Sequence, residues 1–550
     1  MATERLNKFH EAVNAVGSEV LLPAAIDLIA QTNPERLYAE IPLSTTTFDA
    51  GFRRISYREL SNAANGIAWW IHRTLGPSKT CEPLCYMGPN DLIRNIVLLG
   101  NCKAGYSTLM MTPRFNAIAH KNFIDRCSCD KIIMPQGPES ADPSIIALYS
   151  QVLRAPSLEE LLDQEHPSFP FEKSFEDFKT EPLVILHTSG TTGFPKPIIW
   201  SHEYVASYVK ERRLDPPEGF ESNDRLLLGG KLICSFPPAH AGPTWVTLMF
   251  TVYCGSTMVY LLSGLLPTVA LLVECVKHKP VDGLMLVPPQ IEELALNFEA
   301  LLYISQRGET MFYAGGDVTL AAGDAISSKM KLITTCGSTE QGFWHTLHPN
   351  GPWNPKIWKY VRLHPAQRLN FRHQSEDLYE ATYTRNDDPS GYKQSIFTIF
   401  PKNPVYATGD LFSPHPEDSE LWQFRGRADD MQSFITAEKF YPTQMERIIG
   451  THPGVNAVLF VGTRRPRGAL LVELRNPSEN KETFLDSLWP LVEEANRPVP
   501  FTAKITRDMI LITDAELPMA RSVKGTIERR GTVKLYEEKL DVLYAVHSQA

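Results

Sequence analysis

The sequence has no excess of positive charge: 63 aspartates and glutamates outnumber 54 lysines and arginines, for a net charge of -9 and a pI near 6.0. Nucleic acids and anionic membranes are bound through clustered positive charge, so neither is expected as the main partner. The opening stretch MATERLNKFHEAV has no apolar core behind a basic segment, which predicts no secretory leader and a cytoplasmic location. Its nine cysteines lack paired spacing. Cys81 with Cys85, and Cys127 with Cys129, are close pairs without a matching His/Cys set, so reduced and mostly buried thiols are expected instead of disulfides or a zinc site. No long apolar run is uninterrupted either. The most apolar window, Thr257 to Val276, contains Gly264 and Pro267. It reads as a strand (TMVYLL), a turn and a helix with Pro267 in its first turn, before a further strand, GLMLV. Internal repeats, low-complexity tracts, a carrier-type serine motif and a GxGxxG loop are all missing.

What is present is an ordinary globular composition, 43% hydrophobic and 21% charged, in a chain of 550 residues that exceeds what one core organises. Apolar strand-like runs alternate with amphipathic stretches from about residue 55 to 345, the pattern of an α/β chain with mostly parallel strands. Lys356 to Phe412 is denser in aromatics, charges and proline and reads as β-rich. Beyond it, PTQMERIIGTH predicts a helix opened by Pro442, and AVLFVG and ALLVEL predict strands, together a small α/β tail of about 120 residues.

The stretch LHTSGTTGFPK, Leu186 to Lys196, follows the apolar run PLVIL and packs glycines, hydroxyls and a lysine together. Glycines let backbone N–H groups point at an anion, and the hydroxyls and lysine add donors and charge, so the loop is suited to cradling phosphate. It is not a Walker loop: Gly190 and Gly193 are too close, and Lys196 is followed by Pro197.

TSGTTGFPK resembles the signature loop of the adenylate-forming superfamily of acyl-CoA synthetases, luciferases and nonribosomal peptide synthetase adenylation domains. ISYREL, KAGYSTLMMTP, YAGGD, TTCGSTEQG, YATGDLF, GRADD and LPMARSVKGTIERR follow in that family's order. The resemblance implies a large N-terminal domain over residues 1–428, built of two α/β subdomains and a β-rich one, with a small mobile C-terminal α/β domain over 429–550. It implies an ATP/AMP site of Thr188, Ser189, Gly190, Thr191, Thr192, Lys196, Gly316, Asp317, Gly337, Ser338, Thr339, Asp410 and Arg427. Glu340 suits a Mg²⁺ that bridges ATP phosphates, since that ion takes few carboxylates plus substrate oxygens. Asp410 has the right type to accept ribose hydroxyls. Arg427 contacts ribose or phosphate by resemblance, the rival reading being an ion pair with Asp429 or Asp430. Lys524 is the candidate catalytic lysine, a cation for the charge that develops as pyrophosphate leaves. Ser-Val-Lys stands there in place of the family's Ser-Gly-Lys. Asp429 matches the hinge position, and Lys439 the face presented after the small domain turns.

In place of the aromatic frequent before the glycine of TTCGSTE stands Cys336, which leaves Phe236, Trp245 or Phe343 as alternatives for stacking on substrate or adenine. Amino-acid-activating relatives place an early aspartate in the pocket, whereas CSFPPAHAGPTW, from Cys234, has no acid. A buried unpaired ammonium is costly, so an α-amino acid is not expected. His240 resembles the carboxylate-side histidine of aryl-CoA ligases and carboxylic acid reductases. With Phe236, Gly242, Trp245, Val287, Ala314, Gly315, Gly316 and Cys336 the pocket implied is apolar and flat, as an aromatic ring requires. The tail looks like fungal synthetase-like carboxylic acid reductases. The expectation is therefore an adenylation domain that activates an aryl acid, a substituted benzoic acid, with ATP and Mg²⁺. It would then load a phosphopantetheine thiol on a downstream carrier, with the carrier and reductase domains absent from this chain. The alternatives are a free-standing aryl-CoA ligase and a non-catalytic nucleotide-binding module.

Overall fold

A computed structural model of the chain describes residues 7, 10–12, 15–112, 115–137, 142–188, 195–375, 377–387, 392–436, 438–478, 480–497, 499–521 and 527–547. Its internal contacts form two compact units, the first from residues 1–190, 194–369 and 383–406 and the second chiefly from 370–382 and 407–550.

The first unit is built on two sheets. One runs in the order β6 (Gln151–Arg154), β5 (Lys131–Met134), β3 (Pro83–Tyr86), β4 (Ser107–Met110), β7 (Pro182–Thr188) and β8 (Lys196–Ser201). Its neighbours are parallel except β7 and β8, which form an antiparallel pair. The other runs β14 (Lys331–Thr334), β13 (Thr310–Tyr313), β12 (Gly283–Leu286), β10 (Lys231–Cys234), β11 (Thr257–Val259), β1 (Leu37–Pro42) and β2 (Phe52–Ser56), parallel apart from β1 with β2. Every residue of β12 and β13 is buried, as parallel strands covered on both faces require. Antiparallel strands β9 (Phe220–Ser222), β17 (Thr346–Pro349) and β18 (Tyr360–Leu363) and a short hairpin of β15 (Gly337–Ser338) with β16 (Gly342–Phe343) also belong to this unit.

Helix α1 (Tyr57–Leu75) opens with a capping box in which Ser56 Oγ accepts the Glu59 N–H at 3.2 Å and the Glu59 carboxylate accepts the Ser56 N–H at 2.8 Å. It packs on helix α2 (Leu92–Lys103), all twelve residues of which are buried. Helix α3 (His202–Arg212) follows β8. The apolar window resolves into β11, helix α4 (Val269–His278) and β12. The strand ends at Val259, and Pro267 lies outside the helix, not in its first turn. The hydroxyl of Thr268 takes the cap by accepting the Leu271 N–H at 3.2 Å, which a proline side chain cannot do. Among the described residues no helix is long and apolar enough to cross a membrane. No disulfide joins the nine cysteines, seven of which are buried; burial pushes the thiols of Cys129 and Cys234 up to about 12.

In the second unit β19 (Leu369–Ser375), β20 (Leu378–Thr384), β21 (Val405–Pro414) and β22 (Trp422–Arg427) lie side by side. Strands β23 (Gln432–Ser433) and β24 (Lys439–Phe440) pair, and β25 (Val455–Val461), β26 (Ala469–Leu474) and β27 (Ile510–Ile512) form a sheet. Helices α6 (Thr443–Gly450) and α7 (Lys481–Asn496) cover that sheet over a core that includes Ile449, Phe460, Leu470, Val472, Phe484 and Leu488. Pro442 starts α6 as expected, its carbonyl accepting the Glu446 N–H at 2.9 Å.

Candidate active site

In the seven-stranded sheet β10, β12, β13 and β14 are consecutive parallel neighbours, so their carboxyl ends point the same way. Phe236 and His240 follow β10, Val287 follows β12, Ala314, Gly315, Gly316 and Asp317 follow β13, and Cys336 follows β14. In α/β sheets ligands bind in the crevice outside the carboxyl ends of the strands. The structure thus brings the expected pocket residues of four separate motifs to one edge. Val287 caps helix α5 (Pro288–Leu296), and Gly315 takes a φ of +96°, a left-handed backbone that favours glycine. Asp317 Oδ1 accepts the Val318 N–H at 3.0 Å.

The loop after β10 is gripped by two polar side chains, the half-buried Asn90 just before α2 and the buried Arg94 in its first turn. Asn90 Nδ2 donates to the carbonyl of Phe236 at 3.2 Å, and Arg94 donates through Nε to the carbonyl of Pro238 at 2.9 Å and through Nη2 to Thr244 Oγ1 at 2.5 Å. Within the loop, a Cβ on Gly242 would sit 2.6 Å from Phe236 Cδ2, so only glycine lets the chain pass that ring without a shift. Phe236 and Phe343 are both buried, with ring centroids 6.1 Å apart. Trp245 is 1% exposed and is stacked on Tyr208 at 3.6 Å and tilted against Trp200 at 4.5 Å. Of the three aromatic alternatives it is the one embedded in an aromatic stack.

The expected phosphate loop begins where β7 ends. Thr188 and Lys196 are directly opposite in the β7–β8 register, Lys196 exposed and Thr188 partly so. Ser189, Gly190, Thr191 and Thr192 lie outside the described residues. Two contacts tie this strand pair to the pocket edge: the rings of His187 and His240 are 6.3 Å apart at 84°, and Trp200 Nε1 donates to the carbonyl of Thr339 at 2.8 Å. Ser338 and Thr339 lead to Glu340 at the tip of the β15–β16 hairpin, where Ser338 Oγ accepts the Glu340 N–H at 3.3 Å. Gly337 has a φ of +149°, and a Cβ there would collide with the carbonyl of Gly342. The Glu340 carboxylate is partly exposed and makes no hydrogen bond or ion pair with the described residues. Among the described residues, then, nothing competes for its oxygens with a single-carboxylate magnesium site.

In the second unit Asp410 and Arg427 are register partners on antiparallel β21 and β22, and Arg427 Nη1 meets Asp410 Oδ1 at 3.0 Å. This corrects the rival ion pair of Arg427 with Asp429 or Asp430: register delivers the more distant acid, while Asp430 faces Arg529 at 3.6 Å. Arg427 Nη2 also donates to the Thr408 carbonyl at 3.3 Å, and Thr408 Oγ1 accepts the Asp410 N–H at 3.0 Å. Asp429 lies in the short turn Ala428–Asp430, and Lys439 is exposed on β24. Lys524, with its neighbours Ser522 to Thr526, lies outside the described residues.

Asn90, Arg94 and Asn95 went unmarked in the sequence. The signal was available: Arg94, Asn95, Asn101 and Lys103 are spread around α2 instead of sharing one face, so the helix has no polar stripe to turn to water.

Residues 35–362 match the family described as AMP-binding enzyme, and residues 429–548 match the one described as AMP-binding enzyme C-terminal domain. The isocyanide synthase–NRPS hybrid crmA of Aspergillus fumigatus is 30% identical over 95% of this chain and 33% of its own length. A carboxylic acid reductase of Neurospora crassa is 27% identical over 94% of this chain and 50% of its own length. The chain therefore spans a third to a half of these curated relatives. The A domain of the carboxylic acid reductase from Segniliparus rugosus, solved with AMP and a co-purified carboxylic acid, shares the fold with a TM-score of 0.70. That match covers 98% of this chain and 96% of that one at 16% identity.

Proposed function

The chain belongs to the AMP-binding enzyme family and adenylates a carboxylic acid, and from that premise we propose that the acid is aromatic and that its acyl group passes to the phosphopantetheine thiol of a carrier domain. The observation that carries the substrate reading is the loop Cys234 to Trp245, which borders the pocket edge with Phe236 and His240 but offers no carboxylate to a substrate ammonium. Val287, Ala314 and Gly315 at the neighbouring strand ends add small and apolar surface, compatible with a flat ring. The carrier reading is supported by the reductase relatives, of which the chain spans half or less.

In this reading a carboxylate oxygen of the acid attacks the α-phosphorus of ATP. The new C–O–P linkage forms as the bond to the bridging β-phosphate oxygen breaks, and pyrophosphate leaves. A thiolate then attacks the acyl carbonyl, the thioester forms and AMP departs. His240 orients the carboxylate, and Thr188 to Thr192 with Lys196 hold the phosphates. Gly316, Asp317 and Gly337 to Thr339 receive the adenosine, Asp410 accepts the ribose hydroxyls, and Arg427 fixes the Asp410 carboxylate. Lys524 stabilises charge on the reacting oxygens in the first step. Glu340 would hold a magnesium ion, which when bound neutralises phosphate charge. Residues 429–550 form the small domain, turning at Asp429 and presenting Lys439 for the second step.

The test pairs the two half-reactions. An aryl acid with ATP should load a phosphopantetheinylated carrier far faster than it acylates free CoA. Equal rates would favour a CoA ligase, and nucleotide binding without pyrophosphate exchange for any acid would overturn the enzyme reading in favour of a binding module. Lys524→Ala should lower adenylation by about 10²–10³-fold while sparing thiol transfer from preformed acyl-AMP; equal loss in both steps would remove Lys524 from its role.

A further inference from the structure

We propose that Arg94 is a positioning residue for the acid substrate, holding the backbone of the loop after β10 so that His240 and Phe236 face the reacting carboxylate. This rests on the reading of that loop as the acid site. Arg94 is 0% exposed, and no described carboxylate lies within ion-pair distance of it. Asp91, one turn earlier, is engaged by the Ser263 hydroxyl at 2.7 Å. Burial lowers the pKa of the Arg94 guanidinium. A buried charge without an acid is costly, and a buried ion pair is often replaceable by apolar side chains at little loss. Packing alone would therefore be served by leucine or methionine in a helix otherwise rich in leucine, isoleucine and valine.

What an apolar side chain cannot supply is direction. The guanidinium fork donates to the Pro238 carbonyl and to Thr244 Oγ1, two residues before His240 and four after it. Its third bond, Nη1 to Asn95 Oδ1 at 3.1 Å, ties it to a buried hub. Asn95 Nδ2 donates to the hydroxyls of Tyr38 at 2.9 Å and Tyr260 at 2.8 Å, and Thr247 Oγ1 donates to Asn95 Oδ1 at 3.2 Å. The loop that carries His240 is thus braced from the core by a rigid fork, on either side of the histidine. Lysine cannot reproduce this, since it lacks the planar array of donors.

The experiment measures acid-dependent ATP–pyrophosphate exchange, AMP affinity and thermal midpoint for the wild type, Arg94→Lys, Arg94→Met and Thr244→Val. Arg94→Met and Arg94→Lys should each raise the KM for the aryl acid by about tenfold, because small misplacements of an orienting group are costly. The KM for ATP and the affinity for AMP should stay within about twofold, since the effect is confined to the acid subsite. Thr244→Val, which removes one acceptor and little volume, should raise the acid KM by about threefold. If the Arg94 variants fail to fold, Thr244→Val carries the test alone. An unchanged acid KM in folded variants, or acid and ATP constants shifting together as stability falls, would overturn the role and leave Arg94 a structural residue. Silence of the wild type toward every acid would instead overturn the acid-site reading, and this role with it.

Discussion

The loop after β10 and the Asp410–Arg427 pair present site residues by opposite means. No strand ladder holds the stretch from Phe236 to the short helix Ala241–Thr244, and its carbonyls are held by Asn90, just before α2, and by the buried Arg94 of α2. Asp410 and Arg427 need no such brace, because the β21–β22 register already sets them opposite each other, with the Arg427 side chain 46% exposed. Where no strand pairing is available, polar side chains take over the task that it performs elsewhere. The consequence is that changes near the loop should be felt as stability and acid affinity together, and changes at the pair as nucleotide affinity alone.

Asp410→Ala is expected to have the largest effect. Loss of this proposed ribose acceptor should weaken AMP binding by roughly 10–100-fold, as removal of a charged hydrogen-bonding group does. The thermal midpoint should hardly move, since an ion pair with one half-exposed partner adds about 0–1 kcal/mol. Calorimetric AMP titration beside a melting curve checks this, and a large drop in the midpoint with AMP affinity intact would break the contrast. Gly242→Ala comes next. Its Cβ would meet Phe236 Cδ2 at 2.6 Å, and overpacking of this kind costs about 1–3 kcal/mol. The expected outcome is a lower midpoint and a higher acid KM with AMP affinity retained; a loss of AMP affinity alone would contradict it.

The smallest effect is expected at Asp91, which precedes α2. Burial pushes its carboxyl up to about 6 from an ordinary 3.8. Between those values the folded chain holds a proton that the unfolded chain has released, so the contribution of this group to stability is fully present below the lower value and is lost as pH rises through about 6. Asp91→Asn stays neutral throughout. It should melt roughly 2 °C higher than the wild type at pH 7.5 and lose that advantage near pH 4. A pH-independent difference would show that the buried carboxyl does not titrate in this window.

Much of the candidate site's placement was legible because its motifs sit at strand ends, where apolar runs give way to glycine and hydroxyl residues. β7 closes at Thr188, just where the expected phosphate loop begins, and the stretch around GLMLV resolved into a buried parallel strand followed by Val287. What was not legible depends on sides and registers. Trp245 looked as open to a substrate as Phe236 until α3 laid Tyr208 across it. Arg427 had acids two and three residues away in sequence, yet the antiparallel ladder gave it Asp410 instead. Arg94 reads as a solvent-facing helical arginine unless it is noticed that α2 has no polar face at all.

The most direct test of the central claim is pyrophosphate exchange with a matched pair of acids, 3-phenylpropanoate and phenylalanine, which differ in the α-ammonium alone, measured beside benzoate and hydroxybenzoate. Exchange with the aryl acids and none with phenylalanine is the predicted result; exchange with phenylalanine at a comparable rate would contradict a pocket built without a partner for a positive charge.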